Sequence, residues 1–161
     1  EILQRFSKNP LKLKDKFLEN IKISDLIKIN FDKFNKNKRL TLDIKPSDSE
    51  PEIIFKDEMM YALGNIIQNA IFYSIRTTKV ELEYKKSTVN IIISDDGNGF
   101  SKDIIDKLGE PYVSKNNNGM GLGIFIAKNL IENMGGNIKF FNSKDNKAVV
   151  EIIFDNSILN I

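Results

Sequence analysis

The apolar spacing of this chain switches between periods of 3.6 and 2 residues in an order that excludes simple strand–helix alternation. Helical spacing over 56–73, through Met59, Leu63, Ile66, Ile67 and Ala70, gives way to two strand-like runs at about 78–85 and 88–95, joined by the tight turn Lys86-Ser87. A short helix near 101–108 and an irregular stretch to Gly123 come next. Leu122, Ile126, Leu130 and Met134 mark a second long helix, stopped by Gly135-Gly136, and 137–141 and 148–154 close the chain as a strand pair. Upstream, Ser24 reads as the cap of a helix over 25–34, and 39–44 alternates as a strand. A polar loop over 46–51 leads to a short strand at 52–55. Ile2, Leu3 and Phe6 have helical spacing up to Asn9-Pro10, so 1–8 reads as the last turns of a helix, followed by a Lys-rich connector. The expected class is α+β, with helices on one face of a mixed sheet. The Lys- and Asn-rich patches read as loop composition only.

Length and composition narrow the chemistry. The 161 residues suit one domain. There is no histidine, hence no Ser-His-Asp triad, no imidazole base and no usual zinc site. There is no cysteine, hence no disulfide, thiolate metal site or catalytic thiol. Catalysis must rest on carboxylates, amides, hydroxyls, lysines or a bound cofactor. Twenty-four basic residues against 22 acidic give +2, which offers no argument for nucleic acid. No apolar run approaches ~18 residues and no signal peptide is visible, so the segment is expected to be soluble. Because it begins at Glu1, it reads as a piece of something longer.

Four short segments stand apart from this scaffold. In Asn65-Ile-Ile-Gln-Asn69-Ala-Ile-Phe-Tyr73-Ser, positions 65, 69 and 73 share one helical stripe bordering the apolar face. Asparagine is a poor mid-helix residue, and its carboxamide oxygen suits a hard cation such as Mg²⁺; two solvated asparagines are the alternative. Ile91-Ile-Ile93-Ser94-Asp95-Asp96-Gly97-Asn98-Gly99-Phe100 runs from a buried strand into an acidic pair and two glycines. Asp95 could accept a hydrogen bond from an amino group such as that of adenine, and Gly97 and Gly99 allow close ligand approach; an ordinary Asp-Gly turn is the alternative. Gly109-Glu-Pro-Tyr112-Val-Ser, then Lys115-Asn-Asn-Asn118, is a loop whose aromatic is either anchor or surface. Gly119-Met-Gly121-Leu122-Gly123 opens a helix, where free N–H groups favour a phosphate. Its spacing is neither a Walker A loop nor a Rossmann fingerprint, and a ligand-free hinge is the alternative.

In order and spacing the four segments resemble the N, G1, F and G2 boxes of the nucleotide-binding domain of two-component sensor histidine kinases, over about 50–154. Within that family, the phrase from Gly109 through the glycine loop, Leu63-Gly-Asn-Ile-Ile-Gln-Asn69-Ala and Phe6-Ser-Lys-Asn-Pro10 resemble the RegB/PrrB type. The resemblance implies a two-layer α/β sandwich of the GHKL superfamily, with ATP between the N-box helix and the glycine loops. It implies Mg²⁺ on Asn69, phosphates or a metal-bound water at Asn65, and Tyr73 lining the adenine pocket. Asp95 would read the adenine amino group beside Gly97 and Gly99, and Gly119, Gly121 and Gly123 would hinge a lid. Tyr112, Lys115 and Leu122 complete the implied nucleotide-binding set. The implied reaction moves the ATP γ-phosphoryl group to a histidine outside this segment, then to an aspartate of a response regulator. Residues 1–9 would be the tail of a dimerisation and histidine-bearing domain, and 10–161 the catalytic domain. The parent would be a homodimer anchored in the bacterial inner membrane, with this domain in the cytoplasm and touching neither membrane nor nucleic acid.

Two departures and three alternatives accompany the resemblance. Phe72 stands where the family often has a basic residue, which makes Lys115 and Lys128 candidates for phosphate contact. The lid over 113–118 is short, so its usual ordering contacts are in question. An ATPase of the gyrase, mismatch-repair or chaperone type would place a glutamate base one turn before the metal asparagine. That position is Asn65, and Glu58 lies about 16 Å from Asn69 along a helix. A serine kinase of the anti-sigma-factor type fails on the same glutamate. A degenerate module that keeps only the fold is opposed by the asparagine pair, Asp95 and the three lid glycines.

Overall fold

A computed structural model describes residues 20–37, 39–45, 49–111 and 122–159. The elements are β1 (Asn20–Lys22), α1 (Ile23–Phe34), β2 (Thr41–Lys45), β3 (Glu52–Ile54), α2 (Asp57–Tyr73), β4 (Thr77–Tyr84), β5 (Thr88–Asp95), α3 (Lys102–Ile105), α4 (Leu122–Asn133), β6 (Asn137–Asn142) and β7 (Ala148–Asp155). A 3₁₀ turn, Asn156–Leu159, follows β7. Five strands pair in the order β2-β4-β5-β7-β6, parallel between β2 and β4 and antiparallel elsewhere. The fold is therefore α+β with a mixed sheet, as the order of periodicities requires.

Strand β5 lies at the centre. Its residues Val89, Ile91 and Ile93 are buried, and the register sets Ile91 between Leu82 and Ile152 and Ile93 between Val80 and Val150. That apolar face joins one core with Met59, Leu63, Ile66 and Ile67 of α2 and Ala127 and Ile131 of α4. The alternate residues form a polar face, where Lys79 meets Glu81 at 2.7 Å and Glu81 and Glu151 flank Ile92. Period-2 alternation thus separates a helix-covered face from an open one. Asp57 and Glu58 in the first turn of α2 complement its dipole. The helix ends where Ser74 turns its N–H and its hydroxyl back to the Ala70 carbonyl at 2.9 and 2.8 Å. The second long helix stops as expected: the Gly136 N–H bonds the Ile131 carbonyl and the Gly135 N–H that of Glu132, a Schellman pair.

Three expectations need correction. Ser24 is not a cap. Helix α1 begins at Ile23 after Lys22, whose side chain makes no capping bond, and Ser24 lies within the first turn. Its N–H and hydroxyl donate to the Glu50 carboxylate at 2.8 and 2.6 Å, so the free end of the helix is satisfied from 26 residues away. Glu50 also accepts from the Tyr84 hydroxyl at 3.0 Å. The end of the Lys-rich connector is a strand, since β1 pairs antiparallel with β3 (Ile21 opposite Ile53) in a separate two-stranded ribbon. The short helix near 101–108 contracts to α3, continued by single turns to Glu110. The helix read over 1–8 lies outside the described residues. Among the described residues no helix is long and apolar enough to cross a membrane.

Glu50 fastens α1 to β4 through three charged hydrogen bonds. Glu50→Ala is expected to cost roughly 1.5–3 kcal/mol, and Tyr84→Phe about 1 kcal/mol. Urea unfolding checks this: both midpoints should fall in that order, with the slope unchanged.

Candidate nucleotide site

Two glycine-bearing segments meet the stripe that Asn65, Asn69 and Tyr73 form on α2. At its far end the loop after β5 lies so close that a Cβ on Gly97 would collide with the Tyr73 carbonyl oxygen and come within 2.7 Å of the Asp95 carboxylate. At its near end the first turn of α4 lies over Asn65, whose amide oxygen is 3.3 Å from where a Gly123 Cβ would stand. The two contacts are about 12 Å apart along the helix, with half-buried Asn69 between them. The Asn65 amide nitrogen is buried without a hydrogen-bond partner among the described residues. A buried donor left open costs free energy, which an acceptor arriving from a ligand would recover. Leu122 is half-buried beside Gly123. Tyr73 is 38% exposed and Phe72 58%, their rings edge to face at 5.0 Å.

Adjacent carboxylates after β5 have opposite characters. Asp95 continues the inward set of Val89, Ile91 and Ile93 and is only 7% exposed. Its Oδ1 accepts the Gly97 N–H at 2.8 Å. Burial pushes this carboxyl up, more than that N–H lowers it; Asp96 adds to the rise and Lys147 opposes it. Asp96 points the other way and ties the α2–β4 turn, accepting from the N–H groups of Ile75 at 2.7 Å, Arg76 at 3.0 Å and Thr77 at 3.2 Å. Burial raises Asp96 too, but the bonds from Arg76, Ile75 and Thr77 outweigh it and hold the carboxyl below its usual range.

The hairpin between β6 and β7 holds the same loop from the other side. Asn142 pairs twice with the Phe100 backbone, both bonds at 2.8 Å. Asn146 donates to the Asn98 carbonyl at 3.2 Å, and Lys147 to the carbonyls of Asp96 and Gly97 at 3.2 and 3.0 Å. Gly99 has φ +77° and packs on the Asn146 carbonyl, so it answers to the hairpin. Reading these Asn and Lys residues as loop composition alone was therefore incomplete. Their partners lie more than 40 residues away, and no local spacing signals them.

Among the residues singled out from sequence, the structure brings together Asn65 with Gly123, and Tyr73, Asp95 and Gly97 with one another. Tyr112, Lys115, Gly119 and Gly121 lie outside the described residues. Lys128 runs its stem along Gly109 and pairs with Glu132 at 3.4 Å, one turn further down α4. Glu58 is exposed in the first turn of α2, at the opposite end from this site.

A family model described as histidine kinase-, DNA gyrase B-, and HSP90-like ATPase, HATPase_c, matches residues 55–158. The chain belongs to this family. Over 125 residues it is 34% identical to the sensor histidine kinase RegB of Cereibacter sphaeroides, covering 68% of this chain and 27% of that protein. Over 99 residues it is 32% identical to the sensor histidine kinase ZraS of Salmonella typhimurium, covering 60% and 21%. The chain thus spans about a quarter of the length of these two relatives. Among solved structures, the mycobacterial sensor histidine kinase MprB shares the fold with a TM-score of 0.74 at 16% identity, over 85% of this chain and 97% of that one. Full-length ShkA, in complex with AMPPNP, shares it at 0.71 and 20%, over 84% and 30%. This HATPase_c chain is a catalytic domain of the sensor histidine kinase type.

The two carboxylates carry opposite linkage to pH. Asp96, held low, adds stability that is complete above the ordinary carboxylate value of about 3.9 and is lost as pH falls through its depressed one. Asp95, held high, binds its proton more tightly when folded, so its ionisation costs stability as pH rises. At pH 7 Asp95→Asn should raise the urea midpoint. Asp96→Ala should lower it, by roughly 1 kcal/mol at these solvent-reached bonds.

Proposed function

We propose that the domain binds Mg²⁺-ATP between α2 and the two glycine-bearing segments and passes the γ-phosphoryl group to a histidine carried elsewhere in its parent protein. The observation that carries this reading is the α2 stripe, contacted by Gly97 at Tyr73 and by Gly123 at Asn65, where a buried amide donor stands open. Asp95 would accept from the adenine amino group, with Gly97 letting the loop close onto the Tyr73 carbonyl. The first turn of α4 would turn backbone N–H groups to the phosphates. Asn65 would donate its open amide to a phosphate oxygen, and Asn69 would offer its amide oxygen to the cation. Among the described residues no three acidic side chains cluster as a metal cage. An amide oxygen with phosphates and water is the arrangement that suits Mg²⁺. When bound, the cation neutralises charge on the phosphates. ShkA, of the same fold, is known in complex with AMPPNP, which supports a nucleotide here.

Transfer of this kind needs positioning and charge neutralisation more than a base. An imidazole nitrogen of the acceptor attacks the γ-phosphorus, a P–N bond forms, the bond to the bridging oxygen breaks and ADP leaves. The chain has no histidine, so the acceptor must come from outside it. Water is a poor competitor, because Asn65 occupies the place of the glutamate that an ATPase would use and an amide has no useful basicity. That residue also separates this reading from an anti-sigma-factor type serine kinase. We infer residues 10–161 as the catalytic domain and 1–9 as the tail of the dimerisation domain. The parent would be a membrane-anchored homodimer, relaying the phosphoryl group to a response regulator, with no nucleic-acid partner.

Incubated alone with γ-labelled ATP, the chain should gain no acid-labile phosphate and release phosphate only at background. With a separate dimeric fragment carrying the parent's acceptor histidine, it should label that fragment, and Asn69→Ala should abolish the label with the fold intact by circular dichroism. Steady hydrolysis by the chain alone, lost in Asn69→Ala, would overturn the kinase reading in favour of an ATPase. Calorimetry supplies a second check. Asp95→Ala should bind ATP at least ~1.5 kcal/mol more weakly, a charged hydrogen bond's contribution, and GTP should bind the unmodified chain poorly.

A further inference from the structure

Lys147 follows the β6–β7 turn, and its ammonium crosses to the loop after β5, donating to the carbonyls of Asp96 and Gly97 at 3.2 and 3.0 Å. Those two carbonyls bracket the Gly97 N–H that holds Asp95. An ammonium has three donors, and two are spent on this one stretch of backbone. The turn behind it is itself fixed: the Lys147 N–H bonds the Ser143 hydroxyl at 3.1 Å, and Asn142 and Asn146 tie the flanks of the same loop. Lys147 is half-buried, so its charge is only partly screened. The charged groups acting on Asp95 are Asp96 beside it and Lys147 from the hairpin. The adjoining end of α2 contributes Tyr73, and β4 contributes Thr78 opposite Asp95.

We propose that Lys147 is a positioning residue of the adenine pocket, fixing the loop through two backbone carbonyls and supporting the buried Asp95 carboxylate as an acceptor with its charge. The inference rests on the nucleotide reading given above. Two roles combine in one side chain. The bonds set where Gly97 stands between Asp95 and Tyr73, and the charge offsets the burial and the Asp96 repulsion that both disfavour the ionised form. Without the charge, Asp95 takes up its proton at a higher pH, and the neutral carboxyl accepts from an amino group more weakly than the carboxylate does.

Calorimetric titration with ADP from pH 5 to 8, on the full chain, separates the two roles, together with carboxyl-carbon NMR of Asp95 without nucleotide. Lys147→Met should weaken ADP binding at pH 7 by about three- to tenfold and move the acid limb of affinity to higher pH. Lys147→Gln keeps an N–H donor without the charge and should also move the limb upward, with a matching rise in the Asp95 titration. Lys147→Arg keeps the charge and should leave both where they are in the unmodified chain. If Lys147→Met fails to fold, the contrast between Gln and Arg carries the test. Unchanged affinity, acid limb and Asp95 titration in the Met and Gln variants would overturn the inference. Asp95→Ala, which removes the acceptor, is the control. If it loses ADP while the Lys147 variants bind normally, only the role of Lys147 falls. If it binds ADP like the unmodified chain, the nucleotide reading falls and takes this inference with it.

Discussion

A carboxylate buried at the end of an apolar strand is costly to hold, and much of its surroundings follow from it. Strand β5 turns Val89, Ile91 and Ile93 into the core, and Asp95 is the next residue on that face. Burying an ionised carboxylate is tolerable only with hydrogen bonds and compensating charge. The Gly97 N–H supplies the first, Lys147 the second, and both require a loop that stays in place. The loop is held from opposite sides. Asp96 ties it to the turn that leaves α2, while Asn142, Asn146 and Lys147 tie it to a hairpin near the chain's other end. A group that disfavours folding is thus kept by groups that favour it, an arrangement more typical of a binding site than of a core.

The sequence made the scaffold legible and concealed its fastenings. The boundaries of α2, β4, β5 and α4 were readable within a residue or two because each buries one face over two or more turns or pleats. Ser24 misled, because a serine before an apolar run has the local form of a cap, whereas its partner is a carboxylate 26 residues away. Strand β1 escaped notice because three residues make no period, and only pairing with β3 makes them a strand. The residues Asn142, Asn146 and Lys147 look like ordinary turn composition, and their contacts with 96–100 exist only once β5 and β7 are neighbours.

The candidate site divides similarly. Asn65, Asn69, Tyr73, Asp95 and Gly97 could be chosen from spacing, because a helical stripe and a strand end are local geometry. That Gly123 reaches Asn65, and Gly97 reaches Tyr73, depends on how α4 and the loop after β5 pack on α2. Sequence could nominate the groups but not their separation. The pleat of β5 sets Asp95 on the inward face with Val89, Ile91 and Ile93, but that Asp96 ties the α2–β4 turn depends on where that turn packs.

The two ends of the α2 stripe differ in construction, and the difference fits a division between holding a nucleotide and reacting it. The Asp95 end is cross-linked by hydrogen bonds from three parts of the chain, so a ligand bound there meets a preorganised acceptor and loses little free energy to rearrangement. The Asn65 end is built, among the described residues, from one open amide and the first turn of a helix. Affinity can therefore be set at the first end without committing the second to any reaction. On the proposed reading, a phosphoryl donor held at one end, with its reactive end left without a nucleophile, would be stable until another domain brought one. On the reading proposed above, an amide at position 65, in place of a carboxylate, would leave the timing of transfer to whatever presents the histidine.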